Sequence, residues 1–210
     1  MAAHDLDAVE VRVVGCLLEK QVTTPDAYPL TLNALVSACN QSSNRAPVLA
    51  LETREVETAL VRLKERGLVR YVHPSHGSRS EKYRHVVDEI LGLDGPARAV
   101  VCLLALRGPQ TPGELRGRSD RLHPFESTEA VQAVLERLAE VDPALVVRLP
   151  RHLGQKELRW AHVLTGEPLE VGDDAAPGAP SQPRQDRLAE LEARMSALEE
   201  TVARLARSGR

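Results

Sequence analysis

The stretch VVGCLL at Val13–Leu18 returns as AVVCLL at Ala99–Leu104, and two further stretches repeat in the same order. ALVRLKERGLVR at Ala59–Arg70 has its counterpart in VLERLAEVDPALVVR at Val134–Arg148, and HGSRSEKYRHV at His76–Val86 in LGQKELRWAHV at Leu153–Val163. A duplication of this kind decides the architecture, because each copy must be one structural unit. Within the first copy, Leu6 to Glu19 has a helical apolar period, and Thr31 is placed to N-cap a short second helix through Leu32, Leu35, Val36 and Cys39. A third helix is expected from about Thr53 to Arg66, with Val56, Leu60 and Leu63 on one face and Gly67 as its stop. LVRYV at Leu68–Val72 and EKYRHV at Glu81–Val86 read as strands joined by a polar loop. The second copy predicts helices near Ala97 to Leu106, after Thr111 with Pro112 in first position, and near Ser127 to Val141, then strands in LVVRL and ELRWAHVL. Three helices followed by a β-hairpin, twice over, predict an α+β, mostly helical chain of two tandem winged-helix domains.

The predicted division is residues 1–90 and 91–166 for the two domains, 167–186 for a linker and 187–208 for a coiled-coil helix. The linker is acidic and rich in Pro, Gly and Ala, a composition that cannot bury enough apolar surface to fold. Beyond it Leu188, Leu191, Met195, Leu198, Val202 and Leu205 alternate spacings of three and four among Glu and Arg, which is a heptad seam. About three heptads are marginal alone. They predict either self-association as a homodimer or an amphipathic helix folding back on the chain.

The 210 residues carry 27 Lys+Arg against 30 Asp+Glu and only 2% aromatic residues. That excludes a global basic field and a broad aromatic platform for single-stranded nucleic acid. No stretch approaches the length of a membrane span and the first ten residues lack an export-signal pattern, so the cytoplasm is the expected compartment. Cys16, Cys39 and Cys102 form no CxxC pair and are expected as reduced thiols, at least two of them in cores. Phosphate-cradling, dinucleotide and nucleophile-elbow motifs are missing, and the histidines do not have zinc spacing, so no catalysis, cofactor or metal is expected. His85 and His162 are repeat-equivalent strand residues that packing explains, as are Tyr83 and Trp160.

Charge concentrates locally. Residues 1–90 hold 11 basic and 12 acidic side chains and residues 91–166 hold 10 and 9, yet Arg70, His73, His76, Arg79, Lys82 and Arg84 crowd the first hairpin. Arg148, Arg151, His152, Lys156 and Arg159 crowd the second. Residues two apart in a strand share a face, so a basic strip able to meet phosphate is expected, with solubility and edge protection as the competing reason for the same charges. The third helix adds Arg54 and Arg62 among glutamates, and the polar loop CNQSSNRAPV adds Arg45. Arg45, Arg54, Arg62, Arg70, Arg79, Lys82 and Arg84 are therefore the expected contacts to duplex DNA.

The run CLLEKQVTTPDAYPLTLNALVSACNQSSNRAPV at Cys16–Val48, with YPLTLNAL at Tyr28–Leu35 and CNQSSNR at Cys39–Arg45, resembles the signature of the YceH-like bacterial proteins. RGPQTPGELRGRS at Arg107–Ser119, LVVRLPR at Leu145–Arg151 and the C-terminal heptads are similar to it too. The resemblance implies tandem winged-helix domains and carries no established activity. Two functions follow as expectations: a noncatalytic DNA-associated protein such as a transcriptional regulator, or a scaffold that grips a protein partner without binding DNA.

Overall fold

The computed structural model describes residues 5–72, 80–151 and 157–166. All of these belong to one compact unit, Met1–Leu169; a second unit comprises Glu170–Arg210. The expected linker at 167–186 and heptad helix at 187–208 lie outside the described residues.

The described chain is mixed α+β and about half helical. Helix α1 spans Ala8–Thr23, α2 Leu32–Cys39 and α3 Thr53–Glu65, with strand β1 at Leu30–Thr31 before α2 and strands β2 (Val69–Val72) and β3 (Lys82–His85) after α3. A short α4 at Val87–Leu91 leads into α5 (Gly95–Arg107), α6 (Pro112–Ser119), α7 (Thr128–Glu140) and strands β4 (Val146–Arg148) and β5 (Trp160–His162). The first sheet is antiparallel with order β1-β3-β2, and the second pairs β4 with β5. An isolated bridge from Gln110 to Trp160 stands in the second half where β1 stands in the first.

Local chemistry explains the element starts in both halves. Asp7 accepts a hydrogen bond from the Glu10 backbone N–H at 2.8 Å, and Asp94 does the same for Ala97 at 2.9 Å. Thr31 caps α2 and Thr111 caps α6, the latter in a reciprocal box with Glu114 and with Pro112 behind it. Gly67 ends α3 with φ at +75°, a value that disfavours any side chain. β1, α4 and the Pro25–Ala27 turn were not expected from the sequence. A two-residue strand has too little pattern to read, and it forms because β3 offers an unpaired edge.

Helices α1 and α5 pack on each other within the described unit and supply much of its core. Every residue from Glu10 to Leu18 is buried, as is every one from Ala99 to Leu106, so these turns of the two helices are enclosed on all sides. Gly15 lets the two approach: a Cβ placed there would come within 2.8 Å of Leu106 and 3.3 Å of Ala105. Cys16, Cys39 and Cys102 are all free and buried. Tyr83 and Trp160 are buried at matching sheet positions. Among the described residues, no helix is long and apolar enough to cross a membrane.

Candidate functional site

The loop after α2 is the first place where polar side chains converge. Arg45, expected to reach a phosphate, is instead buried: its side chain has no exposed surface. Its Nη1 and Nη2 donate to the two carboxylate oxygens of Glu19 at 3.1 and 2.7 Å. Nε and Nη2 donate to the Ala38 carbonyl at 3.1 and 3.0 Å, Nη1 to the Asn44 carbonyl at 2.9 Å, and Nη2 to Gln41 Oε1 at 3.0 Å. Burial alone would raise the Glu19 pKa, but the Arg45 hydrogen bonds and charge overcome it and hold Glu19 below the usual carboxylate value. A guanidinium with every donor engaged inside the fold has nothing left for DNA, so Arg45 is a strut of the loop. Arg12 supports the same loop from α1, donating to the Cys39 carbonyl at 3.0 Å and the Pro47 carbonyl at 2.7 Å. Asn40 closes it with paired 2.8 Å bonds to the backbone of Leu51, as expected of an asparagine satisfying a turn.

Arg62, another expected contact, stays more than half exposed and takes part in a surface ion pair. Its Nη1 meets Asp7 Oδ2 at 2.9 Å, tying α3 to the cap of α1. Arg137 on α7 makes the equivalent tie to Asp94, the cap of α5, at 3.0 and 2.8 Å. In the second hairpin Arg159 donates to the Pro109 carbonyl at 2.8 Å and pairs with Glu114 at 3.2 Å, so it faces inward. His152 and Lys156 of that hairpin lie outside the described residues, as do His73, His76 and Arg79 of the first.

The first sheet does assemble a basic face. Register places Arg70 opposite Arg84 and Val72 opposite Lys82, and Lys82 opposite Thr31 on the other side. Strand alternation puts Arg70, Lys82 and Arg84 on one face and Val69, Tyr71, Tyr83 and His85 on the other. The second group faces the helices: Tyr83 and His85 are buried, Tyr71 meets Tyr83 edge-on at 5.0 Å, and Lys64 of α3 stands 4.0 Å above the Tyr71 ring. Arg70 opposite Arg84 is a like-charge pair that costs stability, offset at Arg84 by Glu89 at 3.3 Å. Arg54 is exposed on α3, whose outer surface also carries Glu57, Val61 and Glu65.

His85 and His162 serve packing. The backbone N–H of His85 donates to the Tyr28 hydroxyl at 2.9 Å, and its Nε2 lies 2.9 Å from Gln21 Oε1. His162 Nδ1 accepts from the Leu164 N–H at 3.3 Å. Burial pushes both imidazoles down to about 4. Among the described residues, no three His, Cys, Asp or Glu side chains stand together in a metal-binding group.

A cleft of about 300 Å³ opens where α1 and the loop bearing Asn44 meet α5 and α6. Arg107, Arg118 and Arg121 line it, and none of them stood out in the sequence. Their spacing along RGPQTPGELRGRSDR has no period that announces a common target; only the packing of α6 beside the end of α5 brings them together.

The class defined by these features is a mixed α+β protein with two helical repeats, a shared two-helix core and one basic sheet face. The chain belongs to the family described as "Protein of unknown function, DUF480", whose pattern matches residues 6–155. It is 50% identical over 201 residues to a UPF0502 protein of Geobacter sulfurreducens, covering 95% of this chain and 90% of that one. A UPF0502 protein of Solibacter usitatus is 48% identical over 203 residues, with 97% and 94% covered. One from Chromobacterium violaceum is 45% identical over 212 residues, with 98% and 92% covered.

Proposed function

We propose that this chain is a noncatalytic, DNA-associated protein of two tandem winged-helix domains that works in the cytoplasm and serves transcriptional regulation. The observation that carries the reading is the basic face of Arg70, Lys82 and Arg84 on the first sheet. Supporting it is the twofold order of three helices followed by a hairpin, with β1 or Gln110 adding the third strand. Phosphate contact falls to the sheet, to Arg54, Arg62 and Arg79, and no longer to the buried Arg45. Self-association through the heptads from Leu188 to Leu205 completes the proposal as a homodimer.

The test is fluorescence anisotropy of the full chain with random-sequence duplex DNA at low and moderate salt. With about four phosphate contacts, the logarithm of affinity should fall against the logarithm of salt with a slope of about −4. Arg70→Glu/Lys82→Glu should abolish binding while leaving the unfolding midpoint near that of the parent, since both side chains lie off the core. No association at tens of micromolar protein, or unchanged binding by the double variant, overturns the reading.

A second reading, a protein-interaction scaffold, is favoured by one observation. Val61, in the middle of the outer face of α3, is 49% exposed among charges of both signs, an arrangement suited to a partner side chain more than to a DNA groove. Under that reading, binding of a partner depends on Val61 or on heptad residues such as Leu191 and Leu198, and is insensitive to Arg70→Glu.

A further inference from the structure

The arginine cleft is independent of the sheet face. Arg107 is held by Asn44, its Nη1 donating to Oδ1 at 2.7 Å, and Arg118 by Gln110, its Nη1 donating to Oε1 at 2.7 Å. Both anchors are neutral amides, so they orient the guanidinium groups without cancelling their charge. Arg118 also lies 3.7 Å from Glu114, but that carboxylate is shared with Arg159 at 3.2 Å. Arg121 makes no ion pair among the described residues. Of the two carboxylates in the lining, Glu19 is turned to Arg45 at 2.7 Å and Lys20 at 3.3 Å, which leaves Asp120. Partial burial first, and the Arg118 charge second, make Arg107 easier to deprotonate than an ordinary arginine. Three arginines thus border one space whose apolar walls are Leu103, Leu106 and Leu122, and Arg107 and Arg118 feel each other's charge. Like charges gathered at a partly desolvated cleft repel, and an anion relieves that repulsion.

We propose that this cleft binds a small organic phosphate, a phosphomonoester dianion whose oxygens meet Arg107, Arg118 and Arg121 and whose compact apolar part rests on Leu103, Leu106 and Leu122. A cleft of about 300 Å³ has the size of a small-ligand site. Guanidinium groups supply paired N–H donors in a plane that fits phosphate oxygens, and three of them suit a doubly charged group better than a single carboxylate. The ligand spans both repeats, since Asn44 and Thr23 belong to the first and the arginines to the second.

The experiment is isothermal titration calorimetry of the full chain with phenyl phosphate, inorganic phosphate and benzoate at constant ionic strength. Saturable binding is expected in the order phenyl phosphate, inorganic phosphate, benzoate. Arg121→Gln should weaken phenyl phosphate about tenfold, the loss of one charge-assisted contact. Because Arg121 is exposed and unpaired among the described residues, its unfolding midpoint should stay where it was. Arg107→Gln should weaken binding similarly, and Asp120→Asn should strengthen it. The proposal is overturned by no saturable heat with either phosphate, by benzoate binding as well as phenyl phosphate, or by Arg121→Gln and Arg107→Gln binding like the parent. Duplex DNA supplies the other source of phosphate: anisotropy with Arg121→Gln should match the parent. If that variant loses DNA as strongly as it loses phenyl phosphate, the cleft is a seat for the DNA backbone and the proposal fails, whatever the sheet face does.

Discussion

Arg45 and its neighbours show how a residue's role turns on what surrounds its charge. Arg45→Met leaves the Glu19 carboxylate, 13% exposed, without its strongest partner and removes six hydrogen bonds from the loop. A loss of about 3 kcal/mol in urea unfolding is expected, the cost typical of breaking a buried pair on one side. Salt-dependent DNA affinity of the folded fraction should be unchanged. His162 makes a different prediction. Its folded pKa is about 4 against 6.5 for the unconstrained side chain, so below 6.5 the unfolded chain takes up a proton that the folded one refuses. Stability is therefore complete above 6.5, declines as pH falls, and levels off below about 4 as far as this group is concerned. At about pH 5 the loss is about 2 kcal/mol from His162 alone. Urea unfolding across that interval should show His162→Gln with a shallower decline than the parent.

At the level of elements, the contact between α1 and α5 is set by a missing side chain. Alanine at position 15 gains about 1 kcal/mol of helix propensity, yet its Cβ meets Leu106 and the rigid Ala105 Cβ inside a filled core. The clash should win, so Gly15→Ala is expected to lower stability by about 1 kcal/mol and Gly15→Val by more, measured by thermal unfolding. Arg62 with Asp7 and Arg137 with Asp94 repeat one helix-to-cap tie, but both are half exposed and each contributes at most about 1 kcal/mol. Their recurrence shows that the two halves use the same tie, not that the tie is a large source of stability.

For the whole described unit, the consequence of a common α1–α5 core is cooperativity. The only tryptophan, Trp160, lies in the second repeat, and the three tyrosines, Tyr28, Tyr71 and Tyr83, all lie in the first. If the repeats shared no core, each would unfold at its own midpoint. With α1 and α5 enclosed by each other, tryptophan fluorescence and tyrosine near-ultraviolet circular dichroism should report coincident urea transitions. A Gly15→Val variant that separates the two transitions would locate the coupling in this contact.

The helix starts at Thr31 and Thr111 were legible in the sequence because a cap is a local contract within one turn, Thr31 with Ala34 and Thr111 with Glu114, whereas Asp7, the cap of α1, stood inside the stretch read as helical from Leu6. The duplication was legible for a related reason, since equal apolar spacing demands equal burial, and Cys16 and Cys102 are buried accordingly. The basic face of the first sheet was visible as residues two apart, although which of them would be neighbours across the strands was not. The fates of Arg45, Arg62 and Arg159 were beyond reach, because their partners Glu19, Asp7 and Pro109 lie 26, 55 and 50 residues away in the chain. An arginine looks the same in sequence whether it faces water or a carboxylate. The gathering of Arg107, Arg118 and Arg121 around one cleft depends in the same way on how α6 packs beside α5. Sequence determined the repeated elements through local hydrogen bonding and hydrophobic period; tertiary packing alone decided which charges remain available to a ligand, because availability depends on long-range neighbours and desolvation.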